Sequence, residues 1–180
     1  SSPEETEARG VLIGRVARLH PMKDVPSLLE AFEHLAERDE RLHLVLVGRG
    51  MTSQDADLQA LTSDLRHRDR IHPLGEAADV AAITASFDIA VSSSSRGEAF
   101  PNVIGEAMAC AVPAVVTNVG ASAEILGDPR RVVEPSNVSA LTGAMQGLID
   151  LSPNERRALG DADRERVRLR FYIEEVAASY

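Results

Sequence analysis

Short apolar runs alternate with longer segments of helical periodicity along nearly the whole chain. The apolar runs are short and bounded by turn residues, so they predict strands. These strands are predicted at residues 11–16, 42–47, 70–74, 88–91, 113–116 and 131–133. Because strands that alternate with helices form parallel sheets, we predict one α/β domain, a doubly wound, Rossmann-like parallel sheet with helices on both faces.

Helical periodicity fills the intervals between these runs. Apolar residues at helical spacing follow Asp24, which we predict to be the N-cap of the first helix. Further helices are predicted at residues 58–65, 80–87, 101–110 and 138–151, and the charged stretch 153–179 is predicted to form two helical segments.

The charge balance and the single cysteine exclude several classes of function. The 180 residues include 28 acidic and 19 basic ones, a net charge of −9, and only 3% are aromatic, which argues against a nucleic-acid partner. No apolar run approaches the roughly 18 residues of a membrane span. One cysteine, Cys110, excludes an internal disulfide framework and a multi-cysteine metal site, and we expect it to be a small apolar residue of a helix.

The carboxyl ends of the predicted strands carry small or hydrogen-bonding residues. Ligands of doubly wound sheets bind beyond these ends. The residues there are Gly14–Arg15, Gly48–Gly50, Gly75, Ser92–Glu98 and Thr117–Gly120. Each glycine taken singly is better explained by a tight turn. The whole set predicts a crevice in which backbone comes close to a ligand.

Two cations follow the first strand. Arg15 lies at its end, and Lys23 lies just before the next helix. Two cations beside a helix N-terminus can hold a diphosphate, which an otherwise acidic protein must bind through local charges. A solvated surface pair is the alternative that the spacing leaves open.

A helix start and two carboxylates complete the candidate chemistry. Free N–H groups at Phe100–Val103 can hold phosphate oxygens, or only water. Glu98 precedes this helix, and Glu106 points about 130° away from the centre of its apolar face. A carboxylate near a phosphate site suits sugar hydroxyls, but the periodicity is equally compatible with bulk water.

These blocks resemble the C-terminal domain of GT-B-fold, retaining glycosyltransferases of family 4, the glycosyl transferases group 1. The similarity runs from about Val11 to Tyr180 and includes GRVARLHPMKDVPSLLEAF, LHLVLVGRG and GEAFPNVIGEAMACAVPAVVTNVGASAEIL. The last block carries the Glu-x7-Glu signature of this family at Glu98 and Glu106. The resemblance implies one half of a GT-B fold over residues 11–180, after a polar tail at residues 1–10.

The resemblance also implies roles for individual residues. Arg15 and Lys23 would neutralise the donor diphosphate, Glu106 would hold the ribose, and Glu98 would hold the transferred sugar. The implied catalytic residues are Arg15, Lys23 and Glu98. The implied donor-binding residues are Gly14, Arg15, Lys23, Gly48, Arg70, Ile71, His72, Glu98, Phe100, Pro101, Asn102, Val103 and Glu106. The base would lie against backbone at residues 70–72, and no metal or other cofactor is expected.

The implied reaction transfers a sugar from a UDP- or GDP-linked donor to an acceptor hydroxyl with retention. Such enzymes have an N-terminal acceptor domain that this chain lacks, so we expect an excised, cytoplasmic C-terminal domain that binds donor without catalysing transfer. Peripheral membrane attachment of the full-length enzyme is the alternative location. Ala99, Ala111, Asn118 and Ala121 depart from the residues frequent in the family.

Two other classes of protein remain open at this point. A non-catalytic, nucleotide-binding Rossmann-like module would share the fold, although GRVARLH after the first strand is not the GxGxxG of a NAD site. Half of a GT-B-type epimerase would share the architecture but should lack the Glu-x7-Glu block. The five histidines are predicted to be ordinary surface or strand residues, at positions 20, 34, 43, 67 and 72.

Overall fold

A computed structural model describes residues 9–97 and 102–178 of the chain. Its strands are β1 (Val11–Val16), β2 (Leu42–Val47), β3 (Ile71–Gly75), β4 (Ile89–Ser92), β5 (Ala114–Thr117) and β6 (Val132–Val133). They form one parallel sheet in the order β3-β2-β1-β4-β5-β6. The order reverses direction between β1 and β4, which places the topological switch point of a doubly wound sheet between these two strands.

Helices cover both faces of this sheet. They are α1 (Val25–Ala36), α2 (Ala56–Thr62), α3 (Val80–Ala85), α4 (Asn102–Ala109), α5 (Ser122–Leu126), α6 (Val138–Ile149) and α7 (Pro153–Ala178). On one face, α1, α2 and α6 bury apolar side chains such as Phe32 and Met145 against the strands. On the other, α4, α5 and α7 do so through Met108, Ile125 and Val167. The predicted fold class is confirmed.

Side-chain caps start the helices that follow the strands. Asp24 accepts from the backbone N–H of Ser27 at 3.3 Å, so the predicted N-cap of α1 is confirmed. Asp55, Asp79 and Asn137 cap α2, α3 and α6 in the same way. Each cap satisfies a backbone donor that has no partner within its own helix.

The C-terminal stretch forms one helix, so the prediction of two segments is wrong. Gly160, in the N-terminal third of α7, packs tightly against the chain before β5: a Cβ atom there would overlap the carbonyl of Ala111. Further along α7, Asp163 makes a two-pronged ion pair with the buried Arg131, at 2.7 and 2.8 Å. The glycine thus serves close packing, and tertiary contacts on successive turns keep the helix continuous.

Several predicted boundaries shift by one to three residues. The prediction that strand one ends at Gly14–Arg15 is wrong, because both lie inside β1 and align with Val45 and Leu46 of β2. Arg131 precedes β6 and ends a short 3-10 turn. Cys110 lies just beyond the end of α4. Pro101 lies outside the described residues. Within the described part of the chain, no helix is long and apolar enough to cross a membrane.

Candidate functional site

The turn that connects β1 to α1 covers the carboxyl ends of the central strands. This turn contains a 3-10 turn, Pro21–Lys23, whose N-cap is His20: Nδ1 of His20 accepts from the backbone N–H of Met22 at 3.2 Å. Lys23, which is partly buried, comes last, and Asp24 then takes the left-handed conformation, with φ 46°. Lys23 therefore lies at the edge of the sheet where ligands of this fold bind.

Arg15 lies beneath this turn and not on the surface. Only 1% of the residue is exposed. Its guanidinium donates to the hydroxyls of Ser92 and Ser94, at 2.9 and 3.1 Å, and to the carbonyls of Val91 and Lys23, at 3.5 and 3.3 Å. The solvated surface pair is thereby excluded for Arg15. The side chain joins β1, β4 and the Lys23 turn through charge-assisted hydrogen bonds.

The run of serines after β4 holds the same turn from the other side. The hydroxyl of Ser93, which is fully buried, lies 3.0 Å from the carbonyl of Lys23 and 3.1 Å from that of Asp24. The backbone N–H of Ser95 donates to the carbonyl of Met22 at 2.8 Å. Three consecutive carbonyls of the turn are thus bound to the segment that leads toward residue 98.

Gly14 has a packing role that the sequence did not reveal. The glycine is buried, and a Cβ atom there would overlap the ring of Phe87, well inside the 3.0 Å that Cβ contacts essentially never breach. The Phe87 ring therefore fills the space on the Cβ side of Gly14. The expected contact of Gly14 with the donor stays a prediction.

Gly48 and its neighbours shape the carboxyl ends of β2 and β3. Gly48 has φ 133°, and a Cβ atom there would overlap the carbonyl of Ala17 in the turn after β1. Its N–H donates to the carbonyl of Gly75, at 2.8 Å. Because two turns pass so close to each other here, only glycine fits. The expected contact of Gly48 with a ligand stays a prediction.

The N-terminal part of α4 carries three candidates within the described residues. Asn102 and Glu106 are exposed and Val103 is partly buried, while Ile104, Ala107 and Met108 pack into the core. The predicted apolar face is confirmed at these three buried positions. The candidates Glu98, Phe100 and Pro101 lie outside the described residues, so their predicted roles stay predictions.

Arg70, Ile71 and His72 lie at the other edge of the sheet. Ile71 and His72 begin β3 and Arg70 directly precedes it, so Ile71 lies about 13 Å along the strand from Gly75. Arg70 donates to the carbonyls of Ala36 and Asp39, at 2.6 and 2.9 Å, and so caps the end of α1. The structure does not bring these three residues together with the other candidates. A base bound at the carboxyl ends would not meet them.

Two histidines meet at this amino edge. Nδ1 of His43 lies 3.0 Å from Nε2 of His72, so one ring donates to the other. Burial, followed by the charge on the His43 ring, lowers the pKa of His72. Sequence reasoning missed this pair because register between neighbouring strands is not readable from either strand alone.

Two further predictions can be compared with the geometry. Ala111, which stands where many family members have glycine, has φ 58°, the conformation that glycine adopts most easily. Burial, and then the charge of Glu106, raises the pKa of the Cys110 thiol. Among the described residues, no three His, Cys, Asp or Glu side chains form a group that could hold a metal ion.

The fold and the carboxyl ends of the central strands define a doubly wound α/β protein with its candidate site at the switch point of the sheet. Residues 10–150 match the sequence profile of the family described as Glycosyl transferases group 1. Because the match covers more than half of the chain, the chain belongs to this family.

Characterised relatives are similar over nearly the whole chain. An MMP alpha-(1->4)-mannosyltransferase of Mycolicibacterium hassiacum is 34% identical over 183 residues, which cover 98% of this chain and 43% of the relative. An N-acetyl-alpha-D-glucosaminyl L-malate synthase of Bacillus anthracis is 31% identical over 180 residues, 97% of this chain and 45% of the relative. The chain thus spans less than half the length of these relatives.

Solved structures share the fold. The C-terminal domain of the group 1 glycosyl transferase LpcC from Francisella tularensis has a TM-score of 0.76 at 22% identity, covering 93% of this chain and 90% of that one. Anabaena HepE in complex with UDP also has a TM-score of 0.76, at 23% identity, covering all of this chain and 54% of that one. This likeness confirms the predicted half of a GT-B fold.

Proposed function

We propose that this chain is the donor-binding domain of a retaining, family 4 glycosyltransferase. The full enzyme transfers a sugar from a nucleoside-diphosphate sugar to an acceptor hydroxyl. Membership of the group 1 family supports the transferase class. The observation that carries the donor-binding role is Lys23, a cation on a turn that is tied by its carbonyls to the switch point of the sheet.

The Lys23 ammonium provides the charge for the diphosphate in this proposal. Acidic residues outnumber basic ones by 28 to 19, so a cation held at the ligand-binding edge gives this edge a local attraction for anions. The buried Arg15 adds a second positive charge directly below. As the bond to the sugar breaks, negative charge grows on the leaving diphosphate, and both cations stabilise it.

The sugar and ribose are assigned to the α4 side of the edge. Glu106 is exposed and can accept from ribose hydroxyls, and Glu98 is proposed to hold the transferred sugar. The N–H groups at the start of α4 contribute donors to phosphate or sugar oxygens. We assign the nucleotide base to the carboxyl end of β3, at Leu74 and Gly75, and no longer to residues 70–72. The carboxyl end of β3 lies on the same side of the sheet as Lys23.

The base and the sugar of the donor define the first ligands to test. HepE, which shares the fold, has been crystallised with UDP and with UDP-glucose. One relative is named as a mannosyltransferase and another as an N-acetyl-alpha-D-glucosaminyl L-malate synthase. A panel should therefore contain UDP, GDP and their glucose, mannose and N-acetylglucosamine derivatives.

The chain by itself is proposed to bind donor and to transfer nothing. It spans less than half of its relatives, and an acceptor wall can contribute roughly 7–11 kcal/mol to catalysis by positioning. Half a cleft leaves the phosphates partly hydrated, so we expect a Kd on the order of 0.1–1 mM for UDP or GDP, about −4 to −5.5 kcal/mol.

The proposal is tested by NMR titration of the 180-residue chain with UDP, GDP and NAD. We expect UDP or GDP to bind more tightly than NAD, with amide shifts at Lys23, Gly48, Gly75 and Asn118. Shifts restricted to residues 70–72 at the opposite edge would contradict the site. A Glu106→Ala variant should weaken nucleoside and nucleoside diphosphate alike, whereas Glu98→Ala should reduce only the preference for the sugar nucleotide.

A further inference from the structure

The turn that carries Lys23 depends on its surroundings for its shape. The residue after Lys23, Asp24, has φ 46° and ψ 53°, a left-handed conformation that residues with a side chain adopt rarely, aspartate and asparagine more often than the others. Such a conformation persists when surrounding contacts over-determine it. The contacts that fix this turn therefore also fix where the Lys23 side chain begins.

One buried hydroxyl reaches both carbonyls at the strained position. Ser93 is 0% exposed, and its Oγ lies 3.0 Å from the carbonyl of Lys23 and 3.1 Å from that of Asp24. A serine hydroxyl has one hydrogen, so the two carbonyls share it as a three-centre bond. Both peptide planes that flank the left-handed residue are thereby held by the segment that follows β4.

The neighbouring polar groups make this position specific to Ser93. Arg15 also donates to the Lys23 carbonyl, but at 3.3 Å and from within β1. Thr117 fixes the serine run in turn, since its Oγ1 donates to the carbonyl of Ser94 at 2.6 Å. Ser93 is the residue through which this fixed segment hydrogen-bonds to the turn on both sides of Asp24.

We propose that Ser93 is a positioning residue for Lys23, the cation that binds the diphosphate. Its hydroxyl holds the Lys23–Asp24 turn in the shape that directs Lys23 toward the phosphates. The inference rests on the proposed function of Lys23. Removal of the hydroxyl leaves the charge in place but lets the turn relax, so binding of the diphosphate weakens and binding of the nucleoside does not.

A double-mutant cycle tests this inference. Ser93→Ala, Lys23→Ala and the double variant are titrated with UDP and with uridine, and thermal unfolding is recorded for each. We expect Ser93→Ala to weaken UDP binding about 3- to 10-fold and to leave uridine unchanged. In the Lys23→Ala background, Ser93→Ala should change UDP binding less than 2-fold, because the group on which it acts is gone.

Two further variants make the result specific. Thr62→Val removes a different hydroxyl, which is partly buried and donates to the carbonyl of Leu58 at 2.9 Å within α2, and should leave UDP binding unchanged. If Ser93→Ala does not fold, Ser93→Cys takes its place, since a thiol fills the site with a slightly larger atom and donates only weakly.

The outcomes separate the inference from the function on which it rests. Equal loss of UDP and uridine binding in Ser93→Ala, or the same loss with and without Lys23, would overturn the positioning role. If Lys23→Ala itself treats UDP and uridine alike, the proposed function fails first. A loss confined to UDP that vanishes without Lys23 supports both.

Discussion

Replacing Gly14 by alanine tests whether this glycine serves packing or ligand approach. The added methyl group would overlap the ring of Phe87, which is itself only 5% exposed and has little room to move. Overpacking of a well-filled core typically costs about 1–3 kcal/mol. The overlap at Gly14 is severe, so we expect a loss near the upper end, about 3 kcal/mol.

The free energy of unfolding is measured by urea denaturation of four variants. Phe87→Ala alone should cost about 3–5 kcal/mol, as truncation of a buried aromatic ring does. In the double variant the methyl of Gly14→Ala enters the space left by the ring, so the combined loss should fall about 2 kcal/mol short of the sum. Gly147→Ala is the matched control: this α6 glycine is exposed with nothing near its Cβ position, and alanine should stabilise by about 0.5–1 kcal/mol.

Two outcomes would contradict a packing role for Gly14. If Gly14→Ala is as stable as the wild type but no longer binds UDP or GDP, the methyl group meets the ligand and not Phe87. A loss of stability that Phe87→Ala does not relieve would place the strain elsewhere in β1.

The remaining predictions concern the ion pairs that fasten the C-terminal half. Asp163→Asn should lower the free energy of unfolding by about 3 kcal/mol, because it leaves Arg131 buried without its two-pronged partner. The control, Asp161→Asn, lies in an exposed ion pair on the same helix and should change the free energy of unfolding by less than about 0.5 kcal/mol. Equal effects of the two variants would contradict this prediction. Hydrogen bonds from Arg130, and more weakly from Arg131, lower the pKa of Asp128 to about 2. The stability that Asp128 contributes is thus present above pH 4 and lost as the pH falls toward 2. Acid denaturation monitored by circular dichroism should therefore show that Asp128→Asn loses about 1 kcal/mol less of its free energy of unfolding over this range than the wild type does. Parallel curves for the two proteins would argue against this prediction.

The fold was largely predictable because its signals are local. Most strands are short, largely apolar runs bounded by turn residues, and the N-cap at Asp24 follows from the side chain that can accept from a first-turn N–H. The exception is the C-terminal stretch, predicted as two helices. Its continuity depends on Gly160 and Asp163 meeting residues from distant parts of the chain, which helical periodicity does not encode.

The site was predictable in its location but less so in its details. The parallel arrangement of the strands predicts that their five carboxyl ends lie together. It does not predict which face of the sheet a side chain near such an end points to. For this reason Gly14 and Arg15 were expected to meet a ligand, whereas one packs against Phe87 and the other is buried among hydroxyls. A run of four serines likewise does not reveal that Ser93 is the one directed at the Lys23 turn.

The measurement that tests the central claim most directly is the affinity of Lys23→Ala for UDP or GDP compared with the matching nucleoside. The account predicts a loss of about 1.5–3 kcal/mol for the diphosphate, roughly 10- to 150-fold, and no change for the nucleoside. Arg38→Ala, which removes an exposed cation just beyond α1, should change neither affinity. Equal losses for diphosphate and nucleoside, or an equal effect of Arg38→Ala, would contradict a donor site at this edge of the sheet.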